Sequence, residues 1–381
     1  MYCLHFLRDN LPRHGYQCVE ILQAGSKGGL TVADKVLMKG NEAIGEAAII
    51  AGCRFYFAYP ITPQNEIPAY MSRRLPQVGG TFLQAESEIA SINMVFGASA
   101  AGERVMTSSS SPGISLKQEG LSYIAGAELP AVVVNMMRGG PGLGNISGAQ
   151  SDYFQCTRGG GHGDYRTIVL APSTVQEAAD LTVLAFDLAD KYRVTVIIAG
   201  DGYLGQMSEP LELPQPSGAV FDKTAWALSG CRGREPRVLR SLRLKPEIKL
   251  EEHNKMLQER YRMIARDEVR FETYLAEDAD VLITGFGIAA RICKAAVAAL
   301  REEGIKAGLF RPITLWPFPY DQLEIAAEKA ESVLVVEMNE GQMLEDVQLA
   351  LGRKRDIGFY GKSGGTVPDV EEIIKRVKEH G

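Results

Sequence analysis

Thr62 is the first residue whose setting suggests chemistry, because it stands between two prolines in Tyr59-Pro60-Ile61-Thr62-Pro63. This segment follows the apolar run Phe55-Tyr56-Phe57, and the proline rings restrict φ, so the threonine hydroxyl is held at the end of a strand. A threonine N-cap followed by proline in the first turn of a helix is the other interpretation. Both stay open, since a cap at a strand's carboxyl end also faces a ligand crevice.

Two carboxylates, Glu86 and Glu88, lie where the extended segment 81–84 gives way to a helical segment of small residues. Either could simply interact with the positive end of the helix dipole, which contributes at most about 1 kcal/mol. The small residues, among them Ala90, Ser91 and Gly97, also permit close approach of a flat ligand. Spacing alone does not choose between the two glutamates.

Arg138 ends an apolar run and is followed by a loop with four glycines that reaches Asn145. A guanidinium at the carboxyl end of a strand can hold a carboxylate through two parallel hydrogen bonds. The alternative is a surface arginine beside a flexible loop. Polar side chains near Asn145 show no metal-ligand spacing.

Two further segments are weaker candidates. The turn 107–113 is rich in hydroxyls, and its Ser109, Ser110 and Pro112 either line the same crevice or merely cap a helix. The glycine-rich segment 160–165 contains His162 and Asp164, but a lone histidine is weak evidence for acid–base chemistry.

Two motifs resemble cofactor sites but lack their partners. Gly200-Asp201-Gly202 looks like the opening of a thiamine-diphosphate magnesium motif, yet the expected asparagines about 25 residues later are absent. Gly285-Phe286-Gly287 resembles half of a dinucleotide fingerprint, but no acidic residue ends the following strand, and a packing turn is expected instead. The six cysteines form no Cys-x-x-Cys pair, so we predict no metal or iron-sulfur site in this chain.

The elements that must position these residues alternate between short apolar strands and helices of about a dozen residues from Gly40 onward. This alternation predicts right-handed βαβ units and a parallel sheet covered on both faces, with ligands at the carboxyl ends of its strands. A charged helix, expected from about Glu247 to Leu275, leads into a second and smaller α/β series. We predict an extension at 1–36, a first domain at 37–208, a linker at 209–276 and a second domain at 277–381.

Composition narrows the class of partner. A net charge of −6 without a basic stripe argues against nucleic-acid binding. The sequence also contains no run of 18 apolar residues, so we expect no membrane span. Together with the unpaired cysteines, this predicts a cytoplasmic protein that acts on small molecules or proteins.

The Tyr-Pro-Ile-Thr-Pro loop, the Gln-Ala-Glu-Ser-Glu helix start, the Arg-Gly-Gly-Pro-Gly-Leu-Gly-Asn loop and Gly-His-Gly-Asp-Tyr resemble the alpha subunit of 2-oxoacid:ferredoxin oxidoreductases. The similarity spans residues 37–381 and is strongest to the branched-chain type, which acts on 3-methyl-2-oxobutanoate. It implies a thiamine-diphosphate-binding (pyrimidine-domain) α/β fold followed by a transketolase C-terminal-like α/β domain.

The resemblance also implies roles for single residues. Glu88 would be catalytic and face N1′ of the aminopyrimidine, where a shared proton activates the cofactor. Thr62 and Arg138, with Tyr59 and Asn65, would bind the 2-oxoacid, and Ser109, Ser110 and Pro112 would contact the cofactor. Asn145, His162 and Asp164 would be further members of the site.

Only half of an active site is expected in this chain. The resemblance places the diphosphate, Mg²⁺ and a 4Fe-4S cluster on a beta subunit, with gamma and ferredoxin-like delta subunits, ferredoxin and coenzyme A as further partners. Other interpretations are a 2-oxoglutarate-specific subunit, a non-catalytic assembly subunit with a vestigial site, and a nicotinamide-dependent enzyme that uses the Gly285 turn.

Overall fold

The computed structural model describes residues 35–240, 242, 249–352 and 355–380, and Lys35–Gly381 forms one compact unit. The predicted extension at 1–36 therefore lies outside the described residues except for its last two. The strands are β1 Val36–Lys39, β2 Phe55–Ala58, β3 Thr81–Gln84, β4 Val105–Ser109, β5 Ala131–Met137, β6 Ile168–Leu170, β7 Thr195–Asp201, β8 Ser208–Leu211, β9 Phe271–Tyr274, β10 Val281–Thr284, β11 Ala307–Pro312, β12 Thr314–Trp316, β13 Ser332–Glu337 and β14 Ile357–Gly361. The helices are α1 Gly40–Ile50, α2 Glu66–Arg74, α3 Glu88–Ala100, α4 Ser111–Gly126, α5 Tyr153–Thr157, α6 Val175–Tyr192, α7 Gly202–Gln206, α8 Leu250–Asp267, α9 Gly287–Glu302, α10 Tyr320–Ala327, α11 Gln342–Leu351 and α12 Val370–His380.

The larger sheet has seven strands in the order β12-β6-β7-β5-β4-β2-β3. All pair in parallel except the edge strand β12. Strands β4, β5 and β7 are buried along their whole length, which is why they read as continuous apolar or small-residue runs. Crossover helices cover both faces, as the sequence predicts.

The second sheet has five strands in the order β14-β13-β10-β11-β9. Strands β10, β11, β13 and β14 are parallel, and β9 is an antiparallel edge. The predicted helix to Leu275 is wrong in its last part, since α8 ends at Asp267 and 271–274 form β9. Pairing with β11, a contact distant in sequence, overrides the local pattern there.

A small antiparallel pair joins the two ends of the first α/β series. Strand β1 pairs with β8, so Val36, assigned to the extension by sequence, belongs to the folded unit. Each strand has four residues, too short to show a clear alternation.

Side-chain hydrogen bonds connect the two α/β series. Gln150 donates to the Phe286 carbonyl at 2.7 Å and accepts from the Met338 amide at 3.1 Å. The buried Asp346 carboxylate accepts from Tyr153 and Tyr320 at 2.5 Å each, and from Arg158 at 3.0 Å. These networks, and the pairing of β12 with β6, join both α/β series into one compact unit. The predicted boundary at the end of the first domain therefore stays a prediction.

Within the described ranges, no helix combines the length and the apolar character that a bilayer crossing requires.

Candidate active site

The candidate residues converge on one edge of the larger sheet. Thr62 follows β2, Glu88 follows β3, Ser109 ends β4 and Arg138 directly follows β5. These four strands are neighbours and run in parallel, so their carboxyl ends meet at the same edge.

Hydrogen bonds from buried side chains hold the Thr62 loop in place. Gln64 is fully buried and donates to the Tyr59 carbonyl at 3.2 Å, while Ser108 donates to the Gln64 side-chain oxygen. Tyr56 shares a 2.5 Å hydrogen bond with Ser108, and burial raises its pKa. Sequence reasoning missed Gln64 and Tyr56, although both stand within six residues of Thr62.

The interpretation of Thr62 as a helix N-cap is wrong. Helix α2 begins at Glu66 with Asn65 in the capping position, and no side chain caps it. Instead, the Thr62 hydroxyl accepts a hydrogen bond from Asn65 at 3.2 Å. The Thr62–Pro63 peptide bond is cis, which turns the chain before the helix starts.

Arg138 is buried, with 7% of its surface exposed, so the surface-arginine interpretation is wrong. Its guanidinium donates to the Thr62 carbonyl at 3.0 Å and to the Leu143 carbonyl at 3.1 Å. The buried Nε has no partner among the described residues. Two of the five N–H donors of the guanidinium are therefore used.

The first turn of α4 connects Arg138 with Glu88. The Ser111 hydroxyl accepts from the Arg138 amide at 3.1 Å and donates to Asp152 at 2.6 Å. At Gly113 a Cβ would lie 2.5 Å from the Glu88 carboxylate and 2.0 Å from the Ser109 hydroxyl. Glycine is therefore required there, and the two helix starts approach closely.

Glu88 is the first residue of α3, and Ser87 caps this helix through a 3.1 Å hydrogen bond from Ala90. Only 6% of Glu88 is exposed, whereas Glu86 lies on the surface. Among the described residues, no group donates a hydrogen bond to the Glu88 carboxylate, although it lies beside Ser109. The structure thus separates two glutamates that spacing did not.

Several buried hydroxyls on β4 and at the start of α4 lack hydrogen-bond partners. The buried side-chain oxygens of Thr107, Ser109 and Ser110 have none within the described chain. Ser110 occupies the N-cap of α4 without capping it, and Pro112 lies in the first turn. An unpaired buried hydroxyl is unfavourable, so these groups are available to a ligand.

A cavity of about 600 Å³ opens beside the Thr62 loop, and neither Glu88 nor Arg138 lines it. Thr62, Asn65 and Ile146 line it, together with Tyr203 and Gln206. Tyr59 is partly exposed near the same loop. Asn145 donates to the Gly364 carbonyl instead, and so ties the glycine-rich loop to the C-terminal part of the chain.

His162 and Asp164 are not brought to this edge. The His162 carbonyl accepts from Ser122, which lies nine residues beyond Gly113 on α4, or about 14 Å along the helix. Both residues are exposed, and the Asp164 carbonyl accepts from Gln258 on α8. Their predicted role has no geometric support here and stays a prediction.

The two rejected cofactor motifs lie against each other. The buried Asp201 carboxylate accepts from the amides of Tyr203 and Leu204 at the start of α7 and from that of Ile288 at the start of α9. Burial, opposed by these hydrogen bonds, raises the Asp201 pKa to about 6. Gly285 packs so closely that a Cβ would lie 2.9 Å from the Val336 carbonyl. The predicted packing turn is what the structure shows.

Two ionisable residues beside the site, Asp152 and Lys117, were not among the predicted site residues. Asp152 accepts from Ser111 and, at 2.9 Å, from Asn135, and burial raises its pKa. Lys117 is fully buried on α4. Lys117 follows Gly113 by one helical turn and so shares its face, a spacing that could have signalled it. No cluster of potential metal ligands occurs among the described residues.

Comparison with known proteins identifies the class. Residues 46–258 match the thiamine-diphosphate-binding domain family of pyruvate flavodoxin/ferredoxin oxidoreductases, and residues 279–373 match core domain II of pyruvate:ferredoxin oxidoreductase. The chain belongs to the 2-oxoacid:ferredoxin oxidoreductase family, so it is an oxidoreductase subunit with ferredoxin as the family's electron acceptor.

Two relatives are subunits of enzymes that differ in their named substrate. Ketoisovalerate oxidoreductase subunit VorB of Methanothermobacter marburgensis is 51% identical over 343 residues, which cover 90% of this chain and 97% of that protein. The 2-oxoglutarate synthase subunit KorA of Methanocaldococcus jannaschii is 38% identical over 362 residues, which cover 89% of this chain and 98% of that protein. The predicted family and enzyme class are confirmed.

Solved structures agree on the fold. The 2-oxoglutarate:ferredoxin oxidoreductase of Magnetococcus marinus superimposes with a TM-score of 0.83 at 31% identity, and the match covers 91% of this chain but 65% of that one. A split-gene transketolase, an inactive beta4 tetramer, gives a TM-score of 0.57 at 13% identity over 90% of this chain and 98% of that one, a likeness of fold alone. The predicted fold class is confirmed.

The described residues fit the pyrimidine half of thiamine diphosphate. A buried carboxylate without donors, Glu88, lies against Gly113, and the unpaired hydroxyl of Ser109 lies at the same glycine. A flat ring with hydrogen-bonding nitrogens suits this combination. The asparagines of the magnesium motif, which would hold a diphosphate through Mg²⁺, are absent from the sequence.

Proposed function

We propose that this chain is the pyrimidine-binding alpha subunit of a 2-oxoacid:ferredoxin oxidoreductase that converts 3-methyl-2-oxobutanoate to an acyl-CoA and CO₂. The observation that carries the proposal is the meeting of Thr62, Arg138 and Glu88 around the first turn of α4. The branched-chain substrate is supported by the 51% identity to the ketoisovalerate enzyme subunit.

In this proposal Glu88 accepts and returns a proton at the aminopyrimidine nitrogen it faces. Its burial strengthens that hydrogen bond, since the effective dielectric is low. When bound, the cofactor supplies the nucleophilic carbon and the electron sink for decarboxylation. Ser109, Ser110 and Pro112 border the ring. Arg138, with its unused N–H donors, orients the substrate carboxylate.

Thr62, Tyr59 and Asn65 complete the substrate side of the crevice. The Thr62 carbonyl already contacts Arg138, so loop and guanidinium move together. Asn145, beside the glycine-rich loop, is a further contributor, and His162 and Asp164 would act only if a partner reached their outer surface. These roles follow from the family resemblance and from the placement described above.

The remaining half of the active site belongs to partners. We assign the diphosphate, Mg²⁺ and a 4Fe-4S cluster to a beta subunit, because the chain lacks the asparagines of the magnesium motif. Gamma and ferredoxin-like delta subunits, ferredoxin and coenzyme A complete the proposed assembly, which would work in the cytoplasm. The relatives are likewise named as subunits.

The two glutamates provide a matched test. In the assembled complex, Glu88→Gln should lower 2-oxoacid oxidation by at least about a hundredfold, because the proton shared with the pyrimidine is lost. Glu86→Gln should keep most of the activity, since Glu86 is exposed. Ferredoxin reduction and bound thiamine diphosphate would be measured for both. Activity retained by Glu88→Gln would refute the assignment, and absence of the cofactor from the native complex would favour a non-catalytic assembly subunit.

A 2-oxoglutarate-specific enzyme is the second candidate, favoured by the 38% identity to a 2-oxoglutarate synthase subunit. The purified complex should show its highest kcat/KM with 3-methyl-2-oxobutanoate in a panel that includes pyruvate and 2-oxoglutarate. Preference for 2-oxoglutarate would replace the branched-chain assignment and leave the roles of the residues unchanged.

A further inference from the structure

Lys117 is a buried amine that the proposed mechanism does not use. None of its surface is exposed, and it lies one helical turn after Gly113, the residue that faces Glu88. Its Nζ donates to the Glu88 carbonyl at 3.4 Å and to the Ser91 hydroxyl. The amine is therefore fixed at the first turn of α3.

This position is unfavourable for a cation. An ammonium loses its hydration there, and the start of α3 presents the positive end of a helix dipole. No carboxylate oxygen of the described chain forms an ion pair with it. Burial lowers the Lys117 pKa to about 7, and the charge of Glu88 opposes this shift.

Packing alone does not account for an amine here. Methionine has a similar length and would fill the space without the cost of desolvation. What the amine adds is two hydrogen bonds at the turn that begins with Glu88 and a charge that acts on Glu88 through space.

We propose that Lys117 is a positioning residue for Glu88, whose amine holds the first turn of α3 against α4 and sets the electrostatic potential at the Glu88 carboxylate. The proposal rests on the proposed role of Glu88. Near neutral pH the amine changes between charged and uncharged forms, so the potential at the carboxylate changes with pH.

Other charged groups on elements that contact α4 have partners elsewhere or are exposed, and Asp152 is bonded to Ser111 and Asn135. Helix α3 contributes Glu88, the one charge that acts on Lys117 within the described chain. Of the strands β5 and β7, against which α4 packs, only β7 carries a charged residue, Asp201, which is bonded to α7 and α9. His162 and Asp164 lie in an exposed segment that contacts α4 through Gln118 and Ser122.

The first test needs neither cofactor nor activity. Chemical denaturation of the full-length chain would be followed from pH 6 to 10 for wild type, Lys117→Met and the control Lys255→Met, which alters an exposed lysine. Lys117 has a pKa of about 7 when folded against 10.5 ordinarily, so between these values the unfolded state binds more protons and stability rises with pH. The unfolding constant of wild type relative to Lys117→Met should fall about tenfold per pH unit from pH 7 to 10.

A flat difference between wild type and Lys117→Met would overturn the proposal, and Lys255→Met should give a flat difference. Glu88→Gln removes the carboxylate that raises the Lys117 pKa. The stability difference between Glu88→Gln and the double variant with Lys117→Met should therefore depend on pH down to lower values than in wild type. An unchanged window in Glu88→Gln would show that the two groups are not coupled and would equally overturn it.

The second test uses the assembled complex. Lys117→Met should change the shape of the pH profile of kcat/KM near pH 7 while thiamine diphosphate content stays the same. If Glu88→Gln proves active, the proposed function of Glu88 fails while the denaturation result can still stand. If Glu88→Gln is inactive and the Lys117→Met profile matches wild type, the positioning role alone is overturned.

Discussion

Arg138 uses only part of its hydrogen-bonding capacity within the described chain. Its two terminal nitrogens donate to the carbonyls of Thr62 and Leu143, and its Nε remains buried without a partner. A neutral carbonyl is a weaker acceptor than a carboxylate. A 2-oxoacid carboxylate could therefore compete for this guanidinium without leaving a buried charge unpaired.

Replacing Arg138 by lysine should weaken substrate binding specifically. Lysine keeps the charge but loses the planar fork, so we expect the KM for the 2-oxoacid to rise about tenfold or more with cofactor binding unchanged. Steady-state kinetics of the assembled complex measure this. Arg291→Lys is the control, because Arg291 forms a partly exposed ion pair with Glu209. Equal KM values for Arg138→Lys and wild type would contradict the role of Arg138.

At the scale of elements, helix starts organise both the site and its support. The first turn of α4 contacts Arg138 through Ser111 and Glu88 through Gly113. The starts of α7 and α9 share one carboxylate, Asp201. Helix N-termini carry unpaired amides and partial positive charge, so a single carboxylate can satisfy two of them.

The shared carboxylate makes stability depend on pH. The pKa of Asp201 is about 6 when folded and 3.8 ordinarily, so its stabilising contribution is complete below pH 4 and is lost as pH rises through 6. Relative to Asp201→Asn, the free energy of unfolding of wild type should fall by about 3 kcal/mol between pH 4 and 7. Denaturation of both proteins across this range measures the difference. An identical pH dependence would contradict the raised pKa.

At the scale of the whole molecule, two sheets are joined by buried polar networks. Asp346 on α11 accepts from Tyr153 on α5, Tyr320 on α10 and Arg158. Gln150 bonds to backbone at both Phe286 and Met338. Such contacts hold α5 and the residues beside it against the second sheet and its helices.

Removing the central carboxylate should destabilise this junction. Asp346→Ala leaves Arg158 and two tyrosine hydroxyls without their acceptor, so we expect the free energy of unfolding to fall by about 3–5 kcal/mol. Glu345→Ala, one residue away but exposed, should change it by less than about 0.5 kcal/mol. Thermal or chemical denaturation compares the two. Equal stabilities would show that the network contributes little.

The sequence by itself determined the alternation of strands and helices, the parallel sheet and the edge at which Thr62, Glu88 and Arg138 meet. These features depend on local periodicity and on the rule that parallel strands end together. It also led to the family through four motifs. The prediction from sequence was wrong where a strand partner distant in sequence decides the local structure. Residues 271–274 form β9 and pair with β11, whereas the sequence pattern predicted that they continue α8.

The tertiary structure alone decided between the interpretations that the residues left open. It showed that Thr62 does not cap α2 and that Arg138 is buried. It also showed that Glu88 and not Glu86 is buried beside Gly113, and that the segment around His162 lies elsewhere. It also revealed Lys117 beside Glu88. Burial and hydrogen-bond partners depend on contacts between α3, α4 and the loops after β2 and β5, and such contacts leave no periodic trace in the sequence.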